Sequence, residues 1–166
     1  MIPERITHND TKLNNVLLDN ETHEGICCID LDTVMPGLGL YDFGDLVRTS
    51  TSPAAEDEKD LTKVTMQMNM FEALVKGYLD AAADFLTEAE IENLPFCGKL
   101  ITMETGIRFL TDYLEGDVYF KTHHEEHNLE RCRTQVALVK SIEDQSEAMM
   151  ACVKSVLDNT DKEQAS

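Results

Sequence analysis

Several features common in other protein classes are missing from this 166-residue sequence, which has no tryptophan, four prolines and eight glycines. So few glycines and prolines exclude a collagen-like or linker-dominated chain. No apolar run approaches the roughly 20 residues that a membrane-spanning helix needs. The opening residues MIPERITHND also lack the basic and apolar blocks of a signal peptide. We therefore expect no membrane partner and a cytoplasmic location.

Basic residues are scarce, with 14 Lys and Arg against 32 Asp and Glu, and the formal net charge is −18. The few basic residues are scattered singly along the chain and form no patch. Such a surface repels the phosphate backbone, so we expect no nucleic-acid partner. The acidic residues are expected to form a solvated surface that favours solubility.

Cysteines are present, but not in a pattern that crosslinks the chain or binds zinc. Their number is five, and none forms a C-x-x-C pair. Cys27 and Cys28 are neighbours, and on a strand their side chains would point to opposite faces. We therefore expect reduced cysteines, as in a cytosolic protein, rather than a disulfide framework.

The pattern of apolar residues predicts a mainly α fold with a small β-hairpin. The runs NVLLD (15–19) and GICCIDLD (25–32) are β-prone and are separated by a polar turn, which predicts the hairpin. Helical spacing then predicts a body of about five helices. These are a helix beginning in YDFGDLVRTS, one from Leu61 to about Ala83, one capped by Thr87 and ended near Pro95, one over 97–115, and a last long one carrying Leu129, Cys132, Val136, Val139 and Ile142.

The segment HNDTKLNN (8–15) has the form H-x-D-x-x-x-x-N, the catalytic-loop pattern of kinase-fold phosphotransferases. In that pattern Asp10 lies beside the acceptor hydroxyl and takes its proton. Asn15, five residues later, offers its amide oxygen to Mg²⁺, and Lys12 lies near the transferred phosphoryl group. His8 is expected to support the loop rather than to react. The motif alone is weak, because three fixed letters recur by chance.

The hairpin after this motif decides which aspartate is the second metal ligand. Such a site needs a carboxylate that a short hairpin returns to Asn15, and Asp30 lies at the exit of the second strand. The tripeptide DFG of protein kinases, which supplies a metal-binding aspartate, is also present as Asp42–Phe43–Gly44. Asp42 lies a dozen residues further on, at the start of a helix, and is predicted to cap that helix. The hairpin therefore favours Asp30.

The block THNDTKLNNVLLD…CCIDLDTVMPGLGLYDFGDLVR resembles the aminoglycoside/choline phosphotransferase-type family of small-molecule kinases. Within that family the chain is most similar to the N-acetylhexosamine 1-kinases, and GIRFLTDYLEGDVYFK and HNLERCRTQVALVKSIE extend the likeness. The resemblance implies that Asp10 is the catalytic base and that Asn15 and Asp30 are metal ligands, with Asp32 as a further ligand or supporting group. It also implies the C-terminal lobe of a protein-kinase-like (α+β) fold.

The resemblance further implies a reaction and an acceptor site. N-Acetylhexosamine 1-kinases phosphorylate the anomeric hydroxyl of N-acetylglucosamine or N-acetylgalactosamine with ATP and Mg²⁺. Arg108 and Tyr119 would help to bind the sugar. Their spacing of three helical turns permits a shared face. An alternative remains open, and spacing alone favours it: a surface pair of Arg108 with Asp112, together with a core tyrosine.

The chain resembles only one of the two lobes of a kinase. It has no G-x-G-x-x-G loop, and seven residues precede the catalytic motif, so the N-terminal nucleotide-covering lobe is expected to be absent. We assign the kinase-like lobe to residues 1–157, with the loop and hairpin in 5–34, a helical body in 41–157 and a frayed polar tail in 158–166. Alone, this lobe is expected to have little or no activity.

Three other interpretations follow from the same residues. The enzyme could instead phosphorylate another small hydroxylated molecule, such as an aminoglycoside or a choline-like amino alcohol. The chain could also be a non-catalytic helical module, forming a homodimer through the apolar face left by the missing lobe. Finally, HHEEH (123–127) matches the H-x-x-E-H zinc-protease pattern, although a solvated loop or helix start is the preferred interpretation.

Overall fold

The computed structural model describes the backbone of residues 1–164 and the side chains of residues 1–159. Over this part of the chain, short strands precede a body of helices, which confirms the mainly α fold with a small β component. None of the described helices is long and apolar enough to cross a membrane. The elements are β1 (Arg5–Thr7), β2 (Val16–Leu18), β3 (Gly25–Cys28), β4 (Met35–Gly37), α1 (Gly39–Ser50), α2 (Met68–Ala82), α3 (Glu88–Glu115), α4 (His127–Asp144) and α5 (Ser146–Gln164).

The strands form two antiparallel pairs, of which one was predicted. The hairpin β2–β3 is present, with Val16 opposite Cys28. The sequence did not predict the second pair, β1–β4, in which Ile6 lies opposite Pro36. This second pair closes the segment on itself, so the loop that follows β1 lies beside the chain that leaves β3.

Helix α2 begins later than its apolar spacing predicts. It starts at Met68, whereas Leu61–Lys63 forms one turn of 3₁₀ helix. Val64 is buried although it lies outside the helix, on an extended connection. The connection is tied to the end of α1, because the backbone N–H of Gln67 donates to Thr51 O at 2.9 Å. This tertiary hydrogen bond explains why residues 61–67 do not continue the helix.

The predicted helix break at Pro95 is wrong. Helix α3 runs for 28 residues through Pro95 and ends at Glu115; its C-cap is Gly116, whose φ of 93° lies in the left-handed region. Its predicted start is confirmed, since Thr87 and Glu90 form a reciprocal capping box. An internal proline costs roughly 3 kcal/mol of helix stability. Leu94 and Cys97, buried on either side of Pro95, supply the packing that offsets this cost.

The last predicted helix is two helices, α4 and α5, which meet at Gln145. The side-chain amide of Gln145 donates to Met66 O at 2.8 Å and to Ser141 O at 3.1 Å, so this junction is fixed by hydrogen bonds. Val136, predicted on the buried stripe, is 51% exposed. Helix α5 continues past Asp158, where the sequence predicts the polar tail to begin, and extends to Gln164; residues 165–166 lie outside the described residues.

Two glycines set the distance between α1 and α3. A Cβ built on Gly44 would lie 2.5 Å from the backbone oxygen of Cys97, and one built on Gly98 would lie 2.6 Å from Val47 Cγ1. Real Cβ atoms do not approach other atoms so closely. The two helices therefore meet at backbone contact, and α1 is held deep against the body.

Candidate active site

The loop between β1 and β2 contains a compact group of charged and amide side chains. Lys12 Nζ donates to Asp10 Oδ2 at 2.7 Å. Asn15 Nδ2 donates to the same carboxylate oxygen at 2.8 Å and to Asp10 O at 2.9 Å. Burial acts to raise the pKa of Asp10, but the hydrogen bonds from Lys12 and Asn15 outweigh it and lower the pKa. Asp10 is therefore an oriented carboxylate that is ionised at neutral pH.

The carboxylate of Asp42, on α1, binds the backbone of this loop. The backbone N–H of His8 donates to Asp42 Oδ2 at 2.8 Å, and that of Asn9 donates to Oδ1 at 2.7 Å. The hydroxyl of Thr11 donates to the backbone oxygen of Asp42. The predicted capping role of Asp42 is wrong, since the N-cap of α1 is Leu38 and no side chain caps it. Both carboxylate oxygens instead bind the catalytic loop, which lies closer than the end of the helix.

The other two residues of the DFG tripeptide fix α1 in the core. Phe43 is fully buried, with its ring centroid 6.2 Å from that of Phe71 and 4.9 Å from that of Tyr78. Gly44 provides the close approach to α3 described above. The tripeptide thus links the core, through Asp42, to the backbone of the catalytic loop.

His8 connects the catalytic loop to the hairpin. Its Nε2 lies 3.0 Å from Ile29 O, and its backbone oxygen accepts a hydrogen bond from Thr33 Oγ1 at 2.7 Å. Its Nδ1 is buried and has no hydrogen-bond partner among the described residues. These contacts join the loop to both sides of the hairpin exit, which supports a positioning role for His8.

Asp30 and Asp32 lie where the chain leaves the hairpin. Asp30 is exposed and adopts the left-handed conformation, with φ 64° and ψ 56°. A hydrogen bond to Asp32 and the negative charge of that residue raise the pKa of Asp30, and the charges of Lys12 and Asp10 act on it more weakly. The carboxylate of Asp30 therefore lies within electrostatic reach of the catalytic loop. The backbone N–H of Ile29 donates to Asn15 O at 2.9 Å, which fixes this arrangement.

The oxygens on this side of the loop fit a hard cation. Among the described residues nothing donates to Asn15 Oδ1, and the repulsion between Asp30 and Asp32 is of the kind that a bound cation relieves. Amide and carboxylate oxygens are the ligands that Mg²⁺ takes, usually one or two from protein with water and phosphate completing the shell. Within residues 1–159 no three His, Cys, Asp or Glu side chains form a metal-binding group, so a zinc-type site is not supported.

A cavity of about 1180 Å³ opens beside the catalytic loop and extends to α3 and α4. Its lining includes Asp10 and Lys12 from the loop, and Arg108 and Tyr119 from the far side. The structure therefore brings these four sequence-predicted residues to one cavity. His8, Asn15, Asp30 and Asp32 are not among the residues that line it.

Arg108 and Tyr119 are exposed and lie close to each other. The guanidinium carbon of Arg108 is 5.8 Å from the centroid of the Tyr119 ring and 5.4 Å from that of Phe120. Tyr119 is 72% exposed, so it is not a core tyrosine. Arg108 lies 3.8 Å from Glu104 and pairs with that residue rather than with Asp112. Both parts of the alternative interpretation are thus wrong.

Asp112 instead holds the turn that carries the aromatic side chains. Its carboxylate accepts hydrogen bonds from the backbone N–H groups of Val118, Tyr119 and Phe120 at 2.7–3.0 Å, and from Asn128 Nδ2 at 2.8 Å. Burial acts to raise the pKa of Asp112, but these hydrogen bonds outweigh it and lower the pKa. The wall of the cavity near Tyr119 is therefore fixed by a buried, ionised carboxylate.

A comparison with protein families agrees with this arrangement. The model of the phosphotransferase enzyme family (APH) matches residues 2–89, which is more than half of the chain. The chain belongs to this family. In this phosphotransferase the match covers the catalytic loop, the hairpin, α1 and α2, whereas most of α3 and all of α4 lie outside it. Arg108 and Tyr119, the expected sugar-binding residues, lie outside the matched residues. Their assignment therefore depends on the cavity and on the resemblance to N-acetylhexosamine 1-kinases.

The H-x-x-E-H segment of this phosphotransferase does not form a metal site. His127 begins α4 and is buried, with Nδ1 accepting from the backbone N–H of His123 at 3.2 Å and Nε2 lying 3.1 Å from Asp57 Oδ2. His124 Nε2 lies 2.7 Å from Glu130 Oε2. The histidines thus face separate carboxylates, and the zinc alternative is wrong. His127 is a buried helix-start residue rather than a solvated one.

The sequence did not identify several polar residues of the cavity. Arg48 of α1 lies there, in contact with Asp45 at 2.8 Å and Glu56 at 3.1 Å. Arg131 and Gln135 of α4 also line it. Their spacing of four residues puts two polar side chains on one helical face, which is the one signal that could have indicated them.

Proposed function

We propose that this phosphotransferase is the catalytic helical lobe of a kinase that transfers the γ-phosphoryl group of ATP, with Mg²⁺, to the anomeric hydroxyl of N-acetylglucosamine or N-acetylgalactosamine. The observation that carries the proposal is one cavity that contains Asp10 together with Arg108 and Tyr119. Family membership supports phosphoryl transfer. The choice of sugar comes from the resemblance to N-acetylhexosamine 1-kinases.

In this reaction Asp10 orients the acceptor hydroxyl and takes its proton. The sugar oxygen forms a bond to the γ-phosphorus, and the bond from that phosphorus to the bridging oxygen breaks as ADP leaves. Lys12, which pairs with Asp10 at 2.7 Å, is placed to stabilise the charge on the transferred group. Most of the catalysis in such a transfer comes from positioning and electrostatics, which suits a carboxylate held by two hydrogen bonds, from Lys12 and Asn15.

Asn15 and Asp30, with Asp32 beside them, would hold the metal ion. When bound there, Mg²⁺ would supply positive charge that stabilises the negative charge of the phosphate groups. The free amide oxygen of Asn15 and the mutually repelling carboxylates of Asp30 and Asp32 support this assignment.

Arg108 and Tyr119 would bind the sugar at the other end of the cavity. The Arg108 side chain is 49% exposed. Its Nε lies 3.8 Å from Glu104 Oε1, which is too far for a hydrogen bond, so its donors are available to sugar hydroxyls. The exposed Tyr119 ring offers an apolar face for the sugar ring. Asp112 fixes the backbone that carries this ring.

Binding of the sugar is the first test, because it needs no turnover. Titration calorimetry should detect N-acetylglucosamine, and Arg108→Ala should weaken its binding by about tenfold through loss of a charged hydrogen bond. Arg133→Ala is the matched control, since Arg133 is exposed on α4 and does not line this cavity. Equal binding by both variants would contradict the acceptor assignment.

Phosphoryl transfer is the second test. Asp10→Asn should lower any ATP-dependent turnover by about 10²–10⁴-fold, as expected for a general base, and should weaken sugar binding far less than it lowers turnover. Preferred phosphorylation of choline or an aminoglycoside would contradict the proposed sugar acceptor and would leave the proposed kinase activity standing. We expect slow turnover by the chain alone, because its sequence has no glycine-rich phosphate loop. Rapid turnover that depends on Asp10 would refute this expectation.

A further inference from the structure

Two polar side chains in the wall of the cavity have buried atoms without hydrogen-bond partners in the part of the chain that the structure describes. Gln135 is 4% exposed, and no described residue donates to its Oε1. Arg131 Nε is also buried, without an acceptor among the same residues. The nearest carboxylate oxygen, Glu56 Oε2, lies 3.6 Å from it, which is too far for a hydrogen bond.

Other buried polar groups of α4 do have partners. The hydroxyl of Thr134 donates to Glu58 O at 3.2 Å and to Glu130 O at 3.1 Å. Asn128, fully buried in the first turn of the same helix, donates to Asp112 Oδ2 at 2.8 Å. Nearly all buried polar groups in proteins form hydrogen bonds. Two neighbouring groups on a cavity wall that form none therefore indicate a missing partner.

The positions of the two side chains are well defined. Arg131 Nη1 donates to Lys121 O at 3.3 Å and to Asn128 Oδ1 at 3.1 Å, and its guanidinium lies 5.4 Å from the Phe109 ring centroid. Gln135 lies one helical turn further along the same face. Opposite it stands Gly106 of α3, where an added Cβ would be only 3.0 Å from Gln135 Cβ. The absence of a side chain at Gly106 makes room for Gln135.

We propose that Arg131 and Gln135 recognise the acetamido group of the sugar. Arg131 Nε donates to the carbonyl oxygen, and Gln135 Oε1 accepts from the amide N–H. Phe109, Phe120 and Leu138 line the same cavity and provide apolar surface for the methyl group. A plain hexose has no methyl group or carbonyl at this position. The inference rests on the proposed function and assigns its selectivity to α4.

The experiment compares two sugars that differ in this group. Calorimetry should show wild-type chain binding N-acetylglucosamine more tightly than glucose. Gln135→Met, which is similar in volume but cannot form these hydrogen bonds, should reduce that preference by about tenfold and leave glucose binding unchanged. Gln67→Met is the matched control, because Gln67 is half-buried, lies outside the cavity and should leave the preference unaltered.

A second measurement does not depend on the folding of a variant. In ¹⁵N-labelled wild-type chain, the side-chain amide resonances of Gln135 should shift on titration with N-acetylglucosamine and much less with glucose. No shift, together with an unchanged preference in Gln135→Met, would overturn the inference. A buried water would then be the partner of the two side chains.

The outcomes separate this inference from the proposed function. Wild-type binding and phosphorylation of N-acetylglucosamine, with the preference retained in Gln135→Met, would refute the role of α4 and leave the function standing. Absence of sugar binding in wild-type chain would refute both. A preference that is lost in Gln135→Met and kept in Gln67→Met would support both.

Discussion

Asp30 and Asp42 are twelve residues apart in the sequence and have opposite surroundings. Asp30 is exposed at the exit of the hairpin, where Asp32 raises its pKa. Asp42 is half-buried on α1 and accepts two backbone N–H groups of the catalytic loop. The first lies beside a second carboxylate that raises its pKa, and both oxygens of the second accept hydrogen bonds. Hydrogen-bond satisfaction therefore separates a candidate ligand from a supporting residue better than the spelling of the motif.

The same contrast extends to the elements that carry the two aspartates. Every residue of β3 is exposed, and Leu17 and Ile26 of the hairpin are 48% and 64% exposed. In α1, Phe43 and Val47 are fully buried. The hairpin thus contributes little to the core of this lobe, whereas α1 is part of it. Substitutions should affect stability in α1 and chemistry in the hairpin.

Gly44→Ala should have the largest effect on stability. The added methyl group would meet the backbone oxygen of Cys97 at 2.5 Å, and backbone cannot move aside as a side chain does. We expect a loss of about 3 kcal/mol of unfolding free energy, at the upper end for overpacking. Urea denaturation followed by circular dichroism measures it.

Gly77→Ala is the matched control for this prediction. Gly77 lies inside α2, and nothing lies within 4 Å of a Cβ at that position. The alanine should stabilise the chain by about 0.5–1 kcal/mol through helix propensity. Equal changes in stability in the two variants would show that the close contact of α1 with α3 does not restrict the residue at position 44.

Asp42→Asn should come next, with a loss of about 2–3 kcal/mol. The carboxylate accepts two backbone N–H groups, and an amide can replace one acceptor while its NH₂ group opposes the other donor. Urea denaturation gives the magnitude, and faster hydrogen exchange at the amides of His8 and Asn9 would locate the effect. Asp80→Asn, at an exposed position on α2, should change stability by less than about 0.5 kcal/mol.

The ion pair between Arg5 and Glu90 attaches the strand segment to the helical body and should make stability depend on pH. Arg5 lies 2.6 Å from Glu90 Oε1, and its hydrogen bond lowers the pKa of Glu90 from 4.5 to about 2. Because the pKa of the folded state is lowered, this contribution is present above pH 4.5 and is lost as the pH falls towards 2.

Glu90→Gln tests that pH dependence. The variant should be less stable than wild type by about 2 kcal/mol at neutral pH, with the difference shrinking as acid protonates Glu90. Thermal unfolding between pH 2 and 6 measures both chains, a window set by the cited shift in the pKa of Glu90. Curves that run parallel over the whole range would show that another group controls acid stability.

Asp30→Asn should have the smallest effect on stability, within about 0.5 kcal/mol for an exposed position. Removing one charge also relieves the repulsion from Asp32. Mg²⁺ affinity, measured by titration of labelled chain, should nevertheless fall by at least the roughly 10–100-fold that loss of an outer-shell partner costs. If the variant binds Mg²⁺ as tightly as wild type, Asp30 is not the metal ligand, and Asp42 becomes the next candidate.

Features that depend on residues close in sequence were predictable. The hairpin and the capping box of Thr87 with Glu90 are specified within a few residues, and the structure contains both. The clustering of Lys12 and Asn15 on Asp10 follows from a loop of six residues. In each case the interacting groups lie within one short segment, so spacing alone brings them together.

Features that depend on distant contacts were not predictable. Pro95 signals a helix end locally, whereas the tertiary packing of its buried neighbours Leu94 and Cys97 favours a continuous α3. Asp42 has the position of a helix cap, but the backbone of His8, 34 residues away, is its partner. The meeting of α4 with the catalytic loop around one cavity depends on helix packing, for which Arg131 and Gln135 give only a faint periodic signal.

The contact of Gly44 with the backbone of Cys97 also has a consequence for motion. Exposed side chains change rotamer within picoseconds to nanoseconds. The depth of α1 in the fold is set by main-chain atoms, so these changes cannot alter it. Asp42 lies on α1, and its carboxylate accepts two short hydrogen bonds from the backbone of His8 and Asn9, so the position of α1 also fixes these two residues. The time between phosphoryl transfers is much longer than the time of a rotamer change. The catalytic loop should therefore keep its position throughout that time.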